Sequence, residues 1–513
     1  VTESIDDQLT DLRAGGPRFL AAQLVMPVLD LRESENPSFA EACRLMAALP
    51  WNGFIIFGGE HKQVARITRS LRRIAASKDF PRPWFASDVE RGLGQQVAGG
   101  TVFPPFESLG AAPNGAALAE RLGRAIADES LALGIDWLFS PVLDLADLRQ
   151  NPIVGHRSFG AEPERVAELG AAFIRGVEVS SALACGKHFP GHGGTLLDSH
   201  DSLAKVEHSA ERLRTRDLAS FRAAIAAGCS SFMTAHVAYP ALDDAATPAT
   251  LSPAIARGLL RDELGFDGIV VSDALIMSGV LEPCDGGEGM AACRALDAGC
   301  DVLLYPRHPE PTVEALAVHI AKDEGRAGQA IERILRRKLK IRQSEENFDS
   351  IRERSRALAL ELGQAAIRRA EGTEPLVPGE PLQLVLVDDD DAVDAAIDSI
   401  AALQVRAGEL NLHVVTQCSS EDSMRSLQTR LRDGAGAVLL LIHCSVRAWK
   451  CRSGLAPELA SFCQELAESL GGRLRVAALA GRHVVTPLGL TTTLAYGTGP
   501  ACEERLVEAL YEA

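Results

Sequence analysis

The sequence predicts an α/β protein: a (β/α)8 TIM-type barrel followed by a smaller α/β sandwich C-terminal domain. Three observations predict it. Short apolar runs alternate with amphipathic helical stretches over the first two thirds of the 513 residues. Ionisable residues collect where several of those runs end, as they do at the C-terminal face of a barrel. A polar stretch containing Pro and Gly near residues 371 to 381 separates this region from a second set of apolar runs.

The candidate strands, in order, are 21–29, 53–58, 83–90, 135–145, 182–190, 229–237, 268–275 and 300–306, eight in all. Between them, PSFAEACRLMAAL, NGAALAERLGRAIADESLALG and AEPERVAELGAAFIRGVE repeat apolar residues every three or four positions, the helical spacing. A doubly wound open sheet is the competing arrangement of the same alternation. The expected boundaries are a catalytic barrel over 1–345, a helical linker over 346–380 and a C-terminal α/β domain over 381–513. In the last segment LQLVLVDDD, GAVLLLIHCS and LRVAALAG read as buried strands with helices between them. The four Asp at 388–391 are expected in a solvated loop at a strand end, with a cation site as the alternative.

Composition narrows the partners. A formal net charge of -17 argues against a nucleic-acid backbone or an anionic membrane surface, both of which call for clustered Lys and Arg. Eleven Cys without a CxxC pair point to reduced usage rather than a disulfide framework or a zinc ribbon. VTESIDDQLTDLRAGGPRF lacks an apolar core of signal-peptide length, so a cytoplasmic location is expected. No apolar run reaches the roughly 18 residues of a membrane span.

The chemistry concentrates in KHFPGHGGTLLDSH, residues 187–200. The third predicted strand ends in Asp88 and Glu90, the fourth in Asp144, the fifth in Lys187 and His188, the sixth in His236 and the seventh in Asp273. Asp144 taken alone reads as an Asx turn or a helix cap. A metallohydrolase would use His188, His192, His200, His236 and Asp273, but Lys187 sets a fixed positive charge beside such a metal and no HExxH occurs. GEGMAA at 287–292 mimics a dinucleotide fingerprint without the preceding strand, and GHGG has no following GK[ST].

Retaining glycoside cleavage accounts for more of these residues, because it needs a carboxylate to attack the anomeric carbon and a second group to move protons at the leaving oxygen. Asp273, at the rim of an apolar strand, suits the first role. His200 suits the second, with Asp198 orienting its ring. GHGGTLLD then reads as a mobile loop carrying the acid, while Lys187 and His188 hold sugar hydroxyls. His192 is left with a loop-structuring role. No metal or cofactor is expected.

With VVSDALIM and GHRSFG added, KHFPGHGGTLLDSH resembles the family 3 glycoside hydrolases, in particular their β-N-acetylglucosaminidase branch, from the first strand to about Pro306. The resemblance implies a barrel with a retaining double displacement: Asp273 as nucleophile, Asp198 and His200 as the acid/base dyad, and Asp88, Arg157, Lys187 and His188 as ligands of sugar hydroxyls. It implies an exo-acting enzyme taking a small carbohydrate, a terminal β-linked N-acetylglucosaminide or cell-wall fragment, with no nucleic-acid or membrane partner. The family pattern DxEGGRVQR is replaced by DVERGLGQQ, so both its arginines are absent and Gln96 takes the place of the second. Members with a histidine acid/base resemble phosphorylases too, which leaves water and phosphate as alternative acceptors. A β-glucosidase and an inactive sugar-binding barrel complete the alternatives.

Overall fold

The computed structural model describes residues 4–32, 37–147, 151–196, 202–243, 246–342, 346–389, 396–444 and 454–512. It divides into two compact units. The first comprises 1–101, 116–145 and 161–355, and the second 102–115, 146–160 and 356–513.

The first unit is an all-parallel barrel. Its strands are β1 (Val25–Met26), β2 (Val28–Asp30), β3 (Gly53–Phe57), β4 (Trp84–Ser87), β5 (Trp137–Leu138), β6 (Leu183–Phe189), β8 (Ser231–Thr234), β10 (Ile269–Ser272) and β11 (Leu303–Leu304). A small parallel pair, β7 (Ala204–Lys205) and β9 (Val237–Ala238), lies outside the ring. Seven strands run β2-β3-β4-β5-β6-β8-β10, β1 pairs with β11, and Val271 bridges Val302, which closes the circle. Pro27 divides the first strand because it has no N–H to give the ladder. The half before it pairs with β11 and the half after it with β3. Strands β6, β8 and β10 are buried along their whole length, as parallel strands covered by helices must be.

The three helical stretches quoted above form helices Pro37–Ala48, Gly115–Ala132 and Pro163–Val179. The fourth strand is much shorter than its apolar run. Pro141 again removes a ladder donor, and beyond it pairing continues through Lys187 N to Pro141 O (3.1 Å) and Leu143 N to Lys187 O (2.6 Å).

The N-terminal end of the barrel is plugged by a lysine. Lys338, closing helix Gly325–Lys338, donates to Gln23 Oε1 and Asn52 O, both at 3.2 Å, and its ammonium sits 5.3 Å from the centre of the Trp84 ring. Trp84 meets Trp137 edge-on at 5.2 Å, and Trp137 Nε1 donates to Ser231 Oγ at 2.7 Å.

In the second unit a parallel sheet is ordered β13 (Leu410–Thr416), β12 (Leu382–Asp388), β14 (Ala437–Cys444), β15 (Leu474–Ala480), β16 (Thr493–Leu494). Alternate residues of β12 and β14 feed two cores. Val385, Val387, Val438, Leu440 and Ile442 pack with helices Glu421–Asp433 and Pro457–Leu470. Leu384, Leu386, Leu439 and Leu441 pack with Ile397–Arg406 and Pro500–Tyr511. This is the three-layer outcome of strands apolar on both faces.

The solvated loop expected for the Asp run is not what forms at its first two positions. Asp388 and Asp389 are buried: Asp388 Oδ1 pairs with His443 Nδ1 at 2.9 Å, and Asp389 Oδ1 accepts from Ala456 N at 3.0 Å. The first ties two strand ends together and the second ties a strand end to the start of helix Pro457–Leu470, while Asp390 and Asp391 lie outside the described residues. No group of three or more His, Cys, Asp or Glu suited to a metal ion occurs among the described residues.

Burial, reinforced by the Arg82 charge and opposed by Asp136, brings the Lys338 ammonium down to about 7 from 10.5. Between those values the unfolded chain holds a proton that the folded one has released, so stability from this group rises with pH. Unfolding midpoints in urea at pH 7 and pH 9 are expected to show Lys338→Met losing that component of the wild-type slope.

Candidate active site

Several of the candidate residues gather where β6 breaks regular pairing. Cys185 and Gly186 face Ser231 and Phe232 of β8, whereas Phe189 faces Thr234, so the strand carries an extra residue between Gly186 and Phe189. Such a bulge breaks the strict alternation of side chains and re-aims them. Gly186 is required at its edge, because a Cβ there would meet Leu143 Cδ1 and Phe232 Cε1 at 2.6 Å. The Lys187–His188 peptide within the bulge is cis.

Lys187 is 2 % exposed and its ammonium lies 2.7 Å from Asp88 Oδ1 and 2.8 Å from Glu90 Oε1. Both carboxylates follow β4, so one buried cation joins the third and fifth barrel strands. A buried charge is tolerable when paired and hydrogen-bonded in this way. His188 turns to the fourth strand instead. Its Nδ1 donates to Asp144 Oδ2 at 2.7 Å, and its amide donates to the same carboxylate. The His192 amide completes the set, 2.7 Å from Asp144 Oδ1.

Asp144 is therefore neither an Asx turn nor a helix cap. It is 1 % exposed and organises the start of the Gly-rich loop. Burial alone would raise its pKa, but the His188 charge and hydrogen bond, with help from His192, hold it below the usual carboxylate range. Burial, with the His188 charge, pushes His192 down to about 4, so it is neutral at neutral pH. Its Nδ1 lies 2.9 Å from Thr195 Oγ1, and Tyr239 Oη donates to Gly191 O at 2.9 Å, pinning the loop on both sides.

Asp273 directly follows β10. Its Oδ1 accepts the Ala274 amide at 2.7 Å, and the next carbonyl, Ala274 O, accepts from His236 Nε2 at 3.1 Å. His236 Nδ1 pairs with Thr250 Oγ1 at 2.8 Å. The sixth strand's histidine thus steadies the backbone that presents the seventh strand's carboxylate. Asp88, Lys187 and Asp273 all act electrostatically on the Cys185 thiol beneath them, which burial pushes up to about 12.

Asp198 and His200 lie outside the described residues. Arg157, on the turn Gly155–Arg157, belongs to the second unit. The sequence places Glu90 and Asp144 at strand ends without assigning either a sugar or catalytic role. The SDVE spacing, with two carboxylates two residues apart after a strand, is the signal that could have found Glu90. Nothing local marks the role of Asp144 as a buried acceptor, since its partners are 44 and 48 residues away.

Residues 22–339 match the family described as Glycosyl hydrolase family 3 N terminal domain. The chain belongs to glycosyl hydrolase family 3. Among curated relatives of this family 3 enzyme, the beta-hexosaminidase of Thiobacillus denitrificans is 39% identical over 271 residues, 52% of this chain and 74% of that protein. The beta-hexosaminidase of Stenotrophomonas maltophilia (strain K279a) is 40% identical over 262 residues, 50% of this chain and 75% of the other. A solved family 3 beta-N-acetylglucosaminidase from Paenibacillus superposes with a TM-score of 0.82 at 29% identity and covers 96% of both chains, the second unit included. A beta-glucoside phosphorylase shares the fold at a TM-score of 0.82 and 20% identity, covering 98% of this chain and 94% of its own.

Asp144→Ala leaves the His188 ring and two buried amides without their acceptor. It is expected to cost about 3 kcal/mol of stability, the usual scale for breaking a buried charged pair. A urea unfolding curve against wild type checks this.

Proposed function

We propose that this family 3 glycoside hydrolase removes terminal β-linked N-acetylglucosamine by an exo-acting, retaining double displacement. The observation that carries the reading is Asp273, a carboxylate at the C-terminal end of a barrel strand, oriented by the Ala274 amide and backed by His236. Relatives named beta-hexosaminidase at about 39% identity support the choice of sugar.

In the first step an Asp273 oxygen attacks the anomeric carbon and the bond from that carbon to the leaving oxygen breaks. His200, as imidazolium oriented by Asp198, gives its proton to that oxygen. In the second step neutral His200 takes a proton from water, whose oxygen attacks the anomeric carbon and frees Asp273. Lys187, His188, Asp88 and Arg157 hold sugar hydroxyls. Asp88 and Glu90 make the surroundings of Lys187 anionic, which repels an incoming phosphate and favours water as acceptor.

Release of nitrophenol from nitrophenyl β-N-acetylglucosaminide in phosphate-free buffer with EDTA tests the activity. Turnover supports a metal-independent hexosaminidase, and turnover only on a β-glucoside would overturn the sugar assignment. Asp273→Ala is expected to lower kcat by more than about 10³-fold while sugar binding, read by calorimetry, persists. A near wild-type rate would reject the nucleophile. His200→Ala is expected to slow a disaccharide by roughly 10²-fold or more, and an activated aryl leaving group by less, because the latter needs little protonation.

A further inference from the structure

Two segments that lie between barrel strands in the sequence, 102–115 and 146–160, belong to the second unit by their contacts. The later one carries Arg157. Its backbone is fixed locally: Asn151 Oδ1 accepts the amides of Ile153 (2.9 Å) and Val154 (2.8 Å), and Arg157 N donates to Val154 O at 2.9 Å.

On either side of Arg157 the turn is gripped by an aromatic stack. His156, 7 % exposed, lies parallel to His483 with ring centres 6.3 Å apart and planes 12° from each other. Phe159 stacks on Phe106 at 4.4 Å and 23°. Gly110, in the helix Phe106–Ala111, lies so close to the Phe159 carbonyl that a Cβ would strike it.

The two grips are themselves joined. Glu107, next to Phe106, accepts the Arg482 amide at 3.3 Å on each carboxylate oxygen, and Arg482 precedes His483. Gly481 admits this approach, since a Cβ there would come within 2.7 Å of Glu107 Oε2 and 2.6 Å of the His483 ring. Arg482 Nε donates to Tyr496 Oη at 3.0 Å, which anchors the arrangement to the segment after β16. Burial pushes the Glu107 carboxyl up to about 7 against the pull of Arg482.

We propose that His483, with Phe106 and Glu107, forms a clamp by which the second unit positions Arg157 for sugar binding, so that a residue from the C-terminal part of the chain sets substrate affinity without touching substrate. The inference rests on the reading of Arg157 as a sugar ligand. A flat ring on His156 and a second stack on Phe159 leave the turn between them little freedom, and a ligand held in its binding geometry loses less entropy on binding.

Steady-state hydrolysis of nitrophenyl β-N-acetylglucosaminide by the full chain tests this with Arg157→Ala, His483→Ala, His483→Phe and the double variant Arg157→Ala/His483→Ala. Arg157→Ala is expected to raise KM by roughly 10-fold or more, and His483→Ala by about 3- to 10-fold with kcat within about twofold of wild type. His483→Phe keeps a flat ring in place and is expected to return KM to within about twofold of wild type. The double variant is expected to match Arg157→Ala alone, because both changes act through one contact.

A raised KM in Arg157→Ala beside an unchanged KM in His483→Ala overturns the clamp and leaves the role of Arg157 intact. Full additivity in the double variant overturns it too. A wild-type KM in Arg157→Ala overturns the reading of Arg157 itself. If circular dichroism shows His483→Ala unfolded, His483→Gln against His483→Phe decides in the same way, since only the latter keeps the ring face.

Discussion

Much of the barrel mouth depends on one bulge. Lys187 and His188 are neighbours in the chain, and in regular β-structure they would serve opposite faces of the strand. The extra residue between Gly186 and Phe189 removes that restriction. Lys187 then satisfies two carboxylates after the third strand, while His188 satisfies one after the fourth. Three strands are locked by two consecutive side chains, and the Gly-rich loop leaves from that point with its first amides held by Asp144.

The two ends of the barrel use buried charge differently. At the N-terminal end Lys338 is enclosed by Trp84, Gln23 and Asn52 O, where a lysine loses its proton readily and serves packing. At the C-terminal end Lys187 sits between two carboxylates that pair with its ammonium. This matches the general division in such barrels, with stability at one face and chemistry at the other. Among the described residues, Asp88, Glu90, Asp144 and Asp273 follow strand ends at this face, with the buried ammonium of Lys187 between the first two.

The second unit has a structural logic of its own. Its open sheet is covered on both faces by helices, the buried Asp388–His443 pair joins two strand ends, and Asp389 holds the start of helix Pro457–Leu470 through the Ala456 amide. Its membership includes two segments that the chain order would assign to the barrel, and through them aromatic stacking reaches the residues flanking Arg157.

The alternation of apolar runs and helical periods determined the eight barrel strands and three of the helices between them, because burial on both faces of a parallel strand leaves a local signature in hydrophobicity. The same pattern placed Asp273 directly after an apolar strand and Lys187 near the end of another, which is where they stand. Tertiary structure decided what local pattern does not encode. Asp144 looks like a turn former, and only the approach of His188 and His192 from 44 and 48 residues away makes it a buried acceptor. Asp388 and Asp389 read as solvated until β14 and residue 456 close over them. The grouping of Arg157 with the second unit is likewise a matter of contacts across hundreds of residues, and such contacts are chosen by packing in three dimensions rather than by any period along the chain.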